Sequence, residues 1–189
     1  MTSKMSEDNE WQSVLENHPD HVRAIGMISI ETANLEHAMA KLFAYAANIP
    51  LRLALAIYLT PKSAIARNEI FQSTVKAALR PRGTDDQQKR LRSARDKVIK
   101  IAERAKALIG KRHSIIHDAW GFNDETGEIQ RYPFSNPITQ QAVTLQDLES
   151  IIADFRKLIS HANNLSDFLK KDRPTFVSMA ITPRDKSPG

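Results

Sequence analysis

The chain has 189 residues, a formal net charge of +5 and no cysteine, which excludes disulfide bonds and thiolate metal sites. Its length is sufficient for one domain with a substantial hydrophobic core. Residues 1–10 are polar and acidic, without the apolar centre of a secretory signal, and no apolar run reaches transmembrane length. We therefore expect a cytoplasmic protein that does not insert into a membrane.

The positive charge is concentrated in residues 80–112. This segment contains 12 Lys and Arg against 4 Asp and Glu, so the rest of the chain has a net charge of −3. A basic surface attracts phosphates, although a solvated helix face is the commoner explanation for such a segment.

The N-terminal third of the chain predicts two helices. Residues 1–18 indicate an arm or a short amphipathic helix. A long helix is predicted over residues 21–49, because apolar residues recur at alternating steps of three and four, and Pro50 ends it. The short apolar segment 51–59 predicts a second helix that is buried on several sides.

A third helix is predicted over residues 63–79 and a fourth over residues 85–118, with Thr84 or Asp85 as the cap of the fourth. The third helix has five apolar residues at helical spacing, and these form its expected contact face: Ile65, Ile70, Phe71, Val75 and Leu79.

The apolar stripe of the fourth helix is interrupted near its end. The stripe runs through Leu108 to Ile115, and Arg112 lies at the position between them where the pattern requires an apolar residue. Gly110 costs about 1 kcal/mol relative to Ala in a helix interior. An arginine at an apolar position and a glycine inside a helix both depart from the expected local pattern, and two such departures at one place often mark a functional site.

The last third of the chain predicts a β-hairpin at residues 121–129, a loop at 131–141 and a fifth long helix that begins at Thr144. Residues 172–189 are polar, rich in proline and non-periodic, which is typical of a disordered tail. The fold class is therefore all-α. We expect an up-and-down bundle of four main helices over residues 19–171, with short helices and a hairpin before the last long helix.

Residues 110–120 contain the side chains of this chain that are the best candidates for catalysis. His113 and His117 are four residues apart, so on a helix they stack over one another. Arg112 and His117 are five apart, roughly 140° around the helix axis. The two side chains therefore diverge within one chain. Both could reach one phosphate more easily if a second copy of the protein contributed its own pair across a symmetric interface, which favours a homodimer.

The sequence Arg112–His117 resembles the Arg-polar-x-x-x-His motif of the HEPN superfamily, helical-bundle proteins named for their occurrence in higher eukaryotes and prokaryotes. The family most often has Asn after the Arg. His113 stands there in this chain, a variant also met among the HEPN nucleases of RNA-guided CRISPR effectors. Asp118 replaces the Gly that often follows the His. The resemblance covers residues 106–122 in detail, and the helical layout is compatible over 20–171.

The resemblance implies RNA cleavage without a metal or cofactor, in which the 2′-hydroxyl attacks the adjacent phosphate. His117 would act as general base or acid, and Arg112 would hold the phosphate and stabilise its developing charge. His113 would orient the site or share the proton transfer. Three basic residues would line the approach of the RNA: Arg104, Lys106 and Lys111.

The resemblance also implies involvement in phage defence or in a toxin–antitoxin pair, with an antitoxin or another protein as partner. Some HEPN bundles have lost cleavage and serve as dimerisation or binding modules, which is the main alternative function.

Two alternatives involve the motif residues themselves. In a purely structural site, Arg112 would pair with a carboxylate such as Glu36, and His117 would cap the carbonyl end of the helix. In a metal site, His113 and His117 would chelate one ion from adjacent turns, but no third ligand is identifiable in the sequence.

Overall fold

The described part of the chain, residues 14–133 and 140–171, forms a bundle of five α-helices with a small antiparallel sheet. This arrangement is seen in a computed structural model. A 3-10 turn at Val14–Asn17 precedes the first helix. The helices are α1 Pro19–Ala47, α2 Leu51–Leu59, α3 Ala64–Ala78, α4 Asp85–His117 and α5 Leu145–Lys171, and the strands are β1 Ala119–Asn123, β2 Glu128–Tyr132 and β3 Gln141–Ala142.

The mostly helical fold class is confirmed, and the predicted helix ends agree with the observed ends to within about two residues. Local chemistry sets these ends. At the end of α1, Asn48 adopts the left-handed conformation (φ 56°), and Pro50 then starts a new direction. At the start of α5, Thr144 Oγ1 accepts from the Asp147 amide at 3.1 Å, and the Asp147 carboxylate accepts from the Thr144 amide at 2.9 Å. The expected Thr144 cap is thus present. The rest of the predicted N-terminal arm, residues 1–13, and the predicted tail at 172–189 lie outside the described residues.

The core is formed by all five helices around α1, and its fully buried large side chains come from α1, α3, α4 and α5. The pairs Glu31–Arg156 and Lys41–Asp167 join α1 to α5 in ascending order along both helices, so these two helices run parallel. The predicted up-and-down bundle would alternate the direction of successive helices. In the structure α1 and α3 run in the same direction, as the pair Glu36–Arg67 and the ring contact of Phe43 with Phe71 show. The short helix α2 is the crossover that connects them.

The surfaces of α2 and α3 differ from prediction. The expected burial of α2 on several sides is wrong. Its two turns bury Ala54 and Tyr58, four residues apart, and expose Leu51, Leu53 and Leu59. A two-turn helix at the edge of a bundle presents only one face to its neighbours.

The contact face of α3 is confirmed at three of its five predicted residues, since Phe71, Val75 and Leu79 are buried. Ile65 and Ile70 are exposed. They are five residues apart, roughly 140° around the helix axis, so they lie on two different sides of α3, outside its buried face.

The predicted hairpin is present between α4 and α5. β1 and β2 pair from Ala119↔Tyr132 to Asn123↔Glu128, and Gly127 adopts a positive φ of 71° in the turn. β3 extends the sheet through the pair Gln130↔Ala142. The predicted loop at 131–141 is therefore wrong at both ends, since Arg131 and Tyr132 belong to β2 and Gln141 belongs to β3. Two residues are too few for the alternating pattern that would predict β3.

Among the described helices, no single one is both long and apolar enough to cross a membrane. Taken together, α1 and α2 meet the same criteria of length and composition, but they are bent by 120° at the break between them.

Candidate functional site

The candidate site lies on the last turns of α4, where this helix extends beyond its neighbour α3. α4 has 33 residues and α3 has 15, so α3 is about 27 Å shorter at 1.5 Å per residue. The short loop between them pairs α3 with the first half of α4. The second half, including residues 110–117, therefore has one side that α3 does not cover.

Arg112 occupies a position on the buried stripe of α4, as the sequence pattern predicts. Leu108 and Ile115, one turn before and after it, are buried, whereas Arg112 is half-buried. Its Nε atom is inaccessible to solvent and has no hydrogen-bond partner among the described residues. A buried N–H without a partner costs free energy. The Nε–H of Arg112 is thus a hydrogen-bond donor that the described fold leaves unsatisfied.

The proposed structural partner of Arg112 is engaged elsewhere. Glu36 on α1 forms its ion pair with Arg67 on α3, and the expected Arg112–Glu36 pair is therefore wrong. Arg112 forms no salt bridge with any residue that the structure describes. The physical reason is the position of Glu36, which lies on the side of α1 that faces α3.

His113 and His117 stack on adjacent turns, which confirms the prediction from their spacing. Their ring centroids are 4.5 Å apart, with the planes at 50° to one another, and both residues are exposed. Two imidazoles at this distance offer both a proton donor and a proton acceptor to one ligand.

The end of α4 is fixed by residues that follow the motif. The indole Nε1 of Trp120 donates to the carbonyl of Ile115 at 3.1 Å, and the Asp118 amide donates to the Ser114 carbonyl at 2.9 Å. The indole thus satisfies a carbonyl at the C-terminal end of the helix, as the sequence suggested for His117. The only sequence signal for this role is an aromatic N–H five residues after a helix carbonyl.

The carboxylate of Asp118 links the helix end to the sheet. Its Oδ2 lies 3.5 Å from Nε of Arg131 on β2, and both side chains are largely buried. This distance corresponds to an ion pair without well-aligned hydrogen-bond geometry. Asp118 therefore connects the end of α4 to the hairpin.

The three predicted RNA-contacting residues lie on two sides of α4. All are exposed. Lys106 is seven residues before His113 and eleven before His117, which places it on the histidine side. Arg104 lines a groove between α4 and α5. Lys111 lines a cavity of about 380 Å³ that α4 forms with the sheet and the start of α5.

For a metal ion, the site offers two ligands. Within residues 14–133 and 140–171, no three His, Asp or Glu side chains form a group that could hold an ion. A metal bridging His113 and His117 would need its remaining ligands from water or from another molecule.

Comparison of the chain with family models, with curated proteins and with solved structures gives no match. Its function is therefore inferred from its residues and their geometry.

Proposed function

We propose that the protein is a HEPN-like, metal-independent endoribonuclease with an active site built from Arg112, His113 and His117. The observation that carries the proposal is the environment of Arg112. Its guanidinium lies in an apolar stripe and has no carboxylate partner among the described residues, and two stacked, exposed imidazoles lie on the same last turns of α4. An unneutralised arginine beside general acid–base groups matches the needs of phosphoryl transfer.

In this proposal the 2′-hydroxyl oxygen of the RNA attacks the adjacent phosphorus, and the bond from phosphorus to the 5′-oxygen breaks. The products are a 2′,3′-cyclic phosphate and a free 5′-hydroxyl. One imidazole of the His113–His117 pair takes the proton from the 2′-hydroxyl, and a second imidazole gives a proton to the leaving oxygen. Arg112 holds the non-bridging oxygens, where negative charge increases in the transition state.

We infer that the active form is a homodimer. Arg112 and His117 lie roughly 140° apart around α4, so a second copy would supply the complementary residues of each site. Exposed apolar side chains near the end of α4 support this interface. Phe122 is 40% exposed and Val22 is 48% exposed, and the stacking of His18 on Phe122 brings the start of α1 next to β1.

The second candidate is a non-catalytic dimerisation or binding module of the same fold, and the same exposed apolar residues favour it. Both candidates place the protein in the cytoplasm, in phage defence or a toxin–antitoxin pair, with an antitoxin or another protein as a further partner.

The decisive experiment is cleavage of mixed-sequence RNA by the purified protein in excess EDTA. We expect products with cyclic-phosphate ends. His117→Ala is expected to lower the rate by about 100-fold or more, the usual contribution of a general acid or base. His37→Ala is the matched control, because His37 is an exposed histidine on α1, and it should leave the rate unchanged.

Absence of cleavage, or cleavage equal in wild type and His117→Ala, would exclude the nuclease. In that case the module remains supported if the protein sediments as a dimer and Val22→Glu gives a folded monomer. A metal site predicts instead that zinc binds, that His113→Ala abolishes zinc binding, and that EDTA removes any activity.

A further inference from the structure

A groove of about 410 Å³ lies between α4 and α5, on the side of α4 away from the two histidines. Its α4 wall carries Lys97, Lys100 and Arg104, and Ile101 and Leu165 form its apolar floor. It lies outside the candidate active site, since Arg104 and His113 are nine residues apart and point to opposite sides of the helix.

The three cations of this groove are not neutralised by the protein. None of them forms a salt bridge with the residues described. No Asp or Glu is among the residues that line the groove. Of the nearby acids, Asp96 lies 3.3 Å from Arg95 and Asp167 lies 3.1 Å from Lys41 on α1, and Glu103 is exposed beside Arg104 outside the lining. The Lys and Arg side chains that line the groove are therefore not matched by an acid within that lining.

The cations belong to a longer basic stripe along the same side of α4. Arg90 lies seven residues before Lys97, and Lys111 lies seven residues after Arg104, so all five cations share one side of the helix. The stripe spans 21 residues, or about 32 Å at 1.5 Å per residue. A linear array of this length matches an extended polyanion better than a compact anion.

Phe168 adds an aromatic surface to the groove. It is 49% exposed on α5, and Lys171, one turn later, is on the same side of that helix. A half-exposed phenyl ring contributes little to the core. An aromatic face next to unpaired cations is the combination that binds single-stranded nucleic acids, because bases stack on the ring while phosphates contact the cations.

We propose that the groove between α4 and α5 binds single-stranded RNA. Phosphates contact Lys97, Lys100 and Arg104, and a base stacks on Phe168. The stripe continues to Lys111, next to Arg112, so RNA held in the groove is directed toward the end of α4. This extends the proposed ribonuclease by a substrate-binding surface outside its catalytic residues, and the binding itself does not depend on cleavage.

The test is fluorescence anisotropy of a 12-nucleotide single-stranded RNA that carries 2′-O-methyl groups throughout. Such a strand lacks the attacking hydroxyl, so binding is measured whether or not the protein is a nuclease. Lys100→Glu/Arg104→Glu is the groove variant. Lys76→Glu/Arg80→Glu is the matched control, because it makes the same charge change at exposed positions on α3 and just after it. Circular dichroism establishes that both variants are folded.

We expect the groove variant to bind at least 10-fold more weakly at 100 mM salt than both wild type and the control variant. The slope of log K against log salt should fall in magnitude by about 1.4, corresponding to two lost phosphate contacts on a single strand. Phe168→Ala should weaken binding about 5-fold or more through lost stacking, without changing the salt slope.

The proposal is overturned if wild type does not bind the strand, or if the groove variant and the control variant bind equally well. It is also overturned if a glutamate-rich helical peptide displaces the RNA from wild type at concentrations that do not displace it from Phe168→Ala. The groove would then be a docking site for an acidic protein. Cleavage of unmodified RNA is measured in parallel. Groove-dependent binding without cleavage would refute the nuclease and leave the RNA groove in place.

Discussion

Glu36 on α1 pairs with Arg67 on α3 and leaves Arg112 on α4 without a carboxylate partner in the described bundle. Arg67 is further fixed by the hydrogen bond from its Nε to the carbonyl of Pro61 at 2.9 Å. The carboxylate of Glu36 therefore faces α3 and takes part in the α1–α3 contact instead of pairing with Arg112. The outcomes expected below for Arg112 and for Tyr58 follow from this arrangement of Glu36, Arg67 and Arg112.

Replacement of Arg112 by Leu is expected to stabilise the protein and to lower the proposed nuclease activity. Leu completes the apolar stripe between Leu108 and Ile115 and removes a buried N–H that lacks a partner, so the free energy of unfolding should increase by about 1 kcal/mol. RNA cleavage should fall by about 100-fold, because the phosphate loses its guanidinium. Urea denaturation and the cleavage assay measure the two effects.

Leu108→Ala provides the contrast for this experiment, since it removes a buried side chain one turn earlier and should cost about 2–4 kcal/mol. A loss of more than 1 kcal/mol in Arg112→Leu would mean that the arginine has a structural role, and would count against its catalytic assignment.

Replacement of Trp120 by Phe is expected to loosen the end of α4. The variant retains an aromatic ring but loses the hydrogen bond from Nε1 to the Ile115 carbonyl, at a cost of about 1 kcal/mol. Hydrogen exchange should accelerate in the last turn of α4, measured by mass spectrometry of peptides that cover residues 110–120. Unchanged exchange in this segment would show that the indole does not hold the helix end.

Tyr58 should make the protein sensitive to alkaline pH. Burial raises the pKa of Tyr58 to about 12, and the Glu36 carboxylate adds to the increase. Because the folded state favours the neutral phenol, this contribution to stability is complete below pH 10 and is lost as the pH rises from about 10 to 12. An increase of the Tyr58 pKa from 10.0 to about 12 corresponds to about 3 kcal/mol of free energy of unfolding.

Guanidinium unfolding of wild type and Tyr58→Phe at pH 8, 10 and 11.5 tests this expectation. The phenylalanine variant should show a smaller loss of stability above pH 10, and Tyr45→Phe controls for the removal of one hydroxyl elsewhere on the bundle. Parallel curves for wild type and Tyr58→Phe would contradict the prediction.

Glu31 should contribute to the loss of stability in acid. The guanidinium of Arg156 donates from Nε to the Glu31 carboxylate at 2.7 Å and holds the pKa of Glu31 below its usual value of 4.5. Its stabilising contribution is present above that value and is lost as the pH falls below it. Arg156 is 59% exposed, so the effect should not exceed about 1 kcal/mol.

Unfolding of wild type and Glu31→Gln at pH 7 and pH 3.5 measures this difference. The variant should be less stable at pH 7 and should approach wild type at pH 3.5. A difference between the two proteins that is the same at both pH values would show that ionisation of Glu31 is not its cause.

The sequence by itself determined the local features of this protein. Proline positions and the repeat of apolar residues set the helix ends, because these depend on backbone hydrogen bonds and torsions within a few residues. The stacking of His113 on His117 was predictable for the same reason, since a spacing of four residues fixes two side chains on one helix face. The position of Arg112 on a buried stripe also follows from periodicity alone.

The tertiary structure decided what lies opposite each helix face. From the sequence, Glu36 is a possible partner of Arg112, but the crossover through α2 places Arg67 of α3 next to Glu36. Exposure of Ile65 and the groove beside Phe168 likewise depend on which helices meet. These contacts join residues far apart in the chain, and the total burial of several helices selects them. Periodicity along one helix identifies an apolar or basic face but carries no information about its partner.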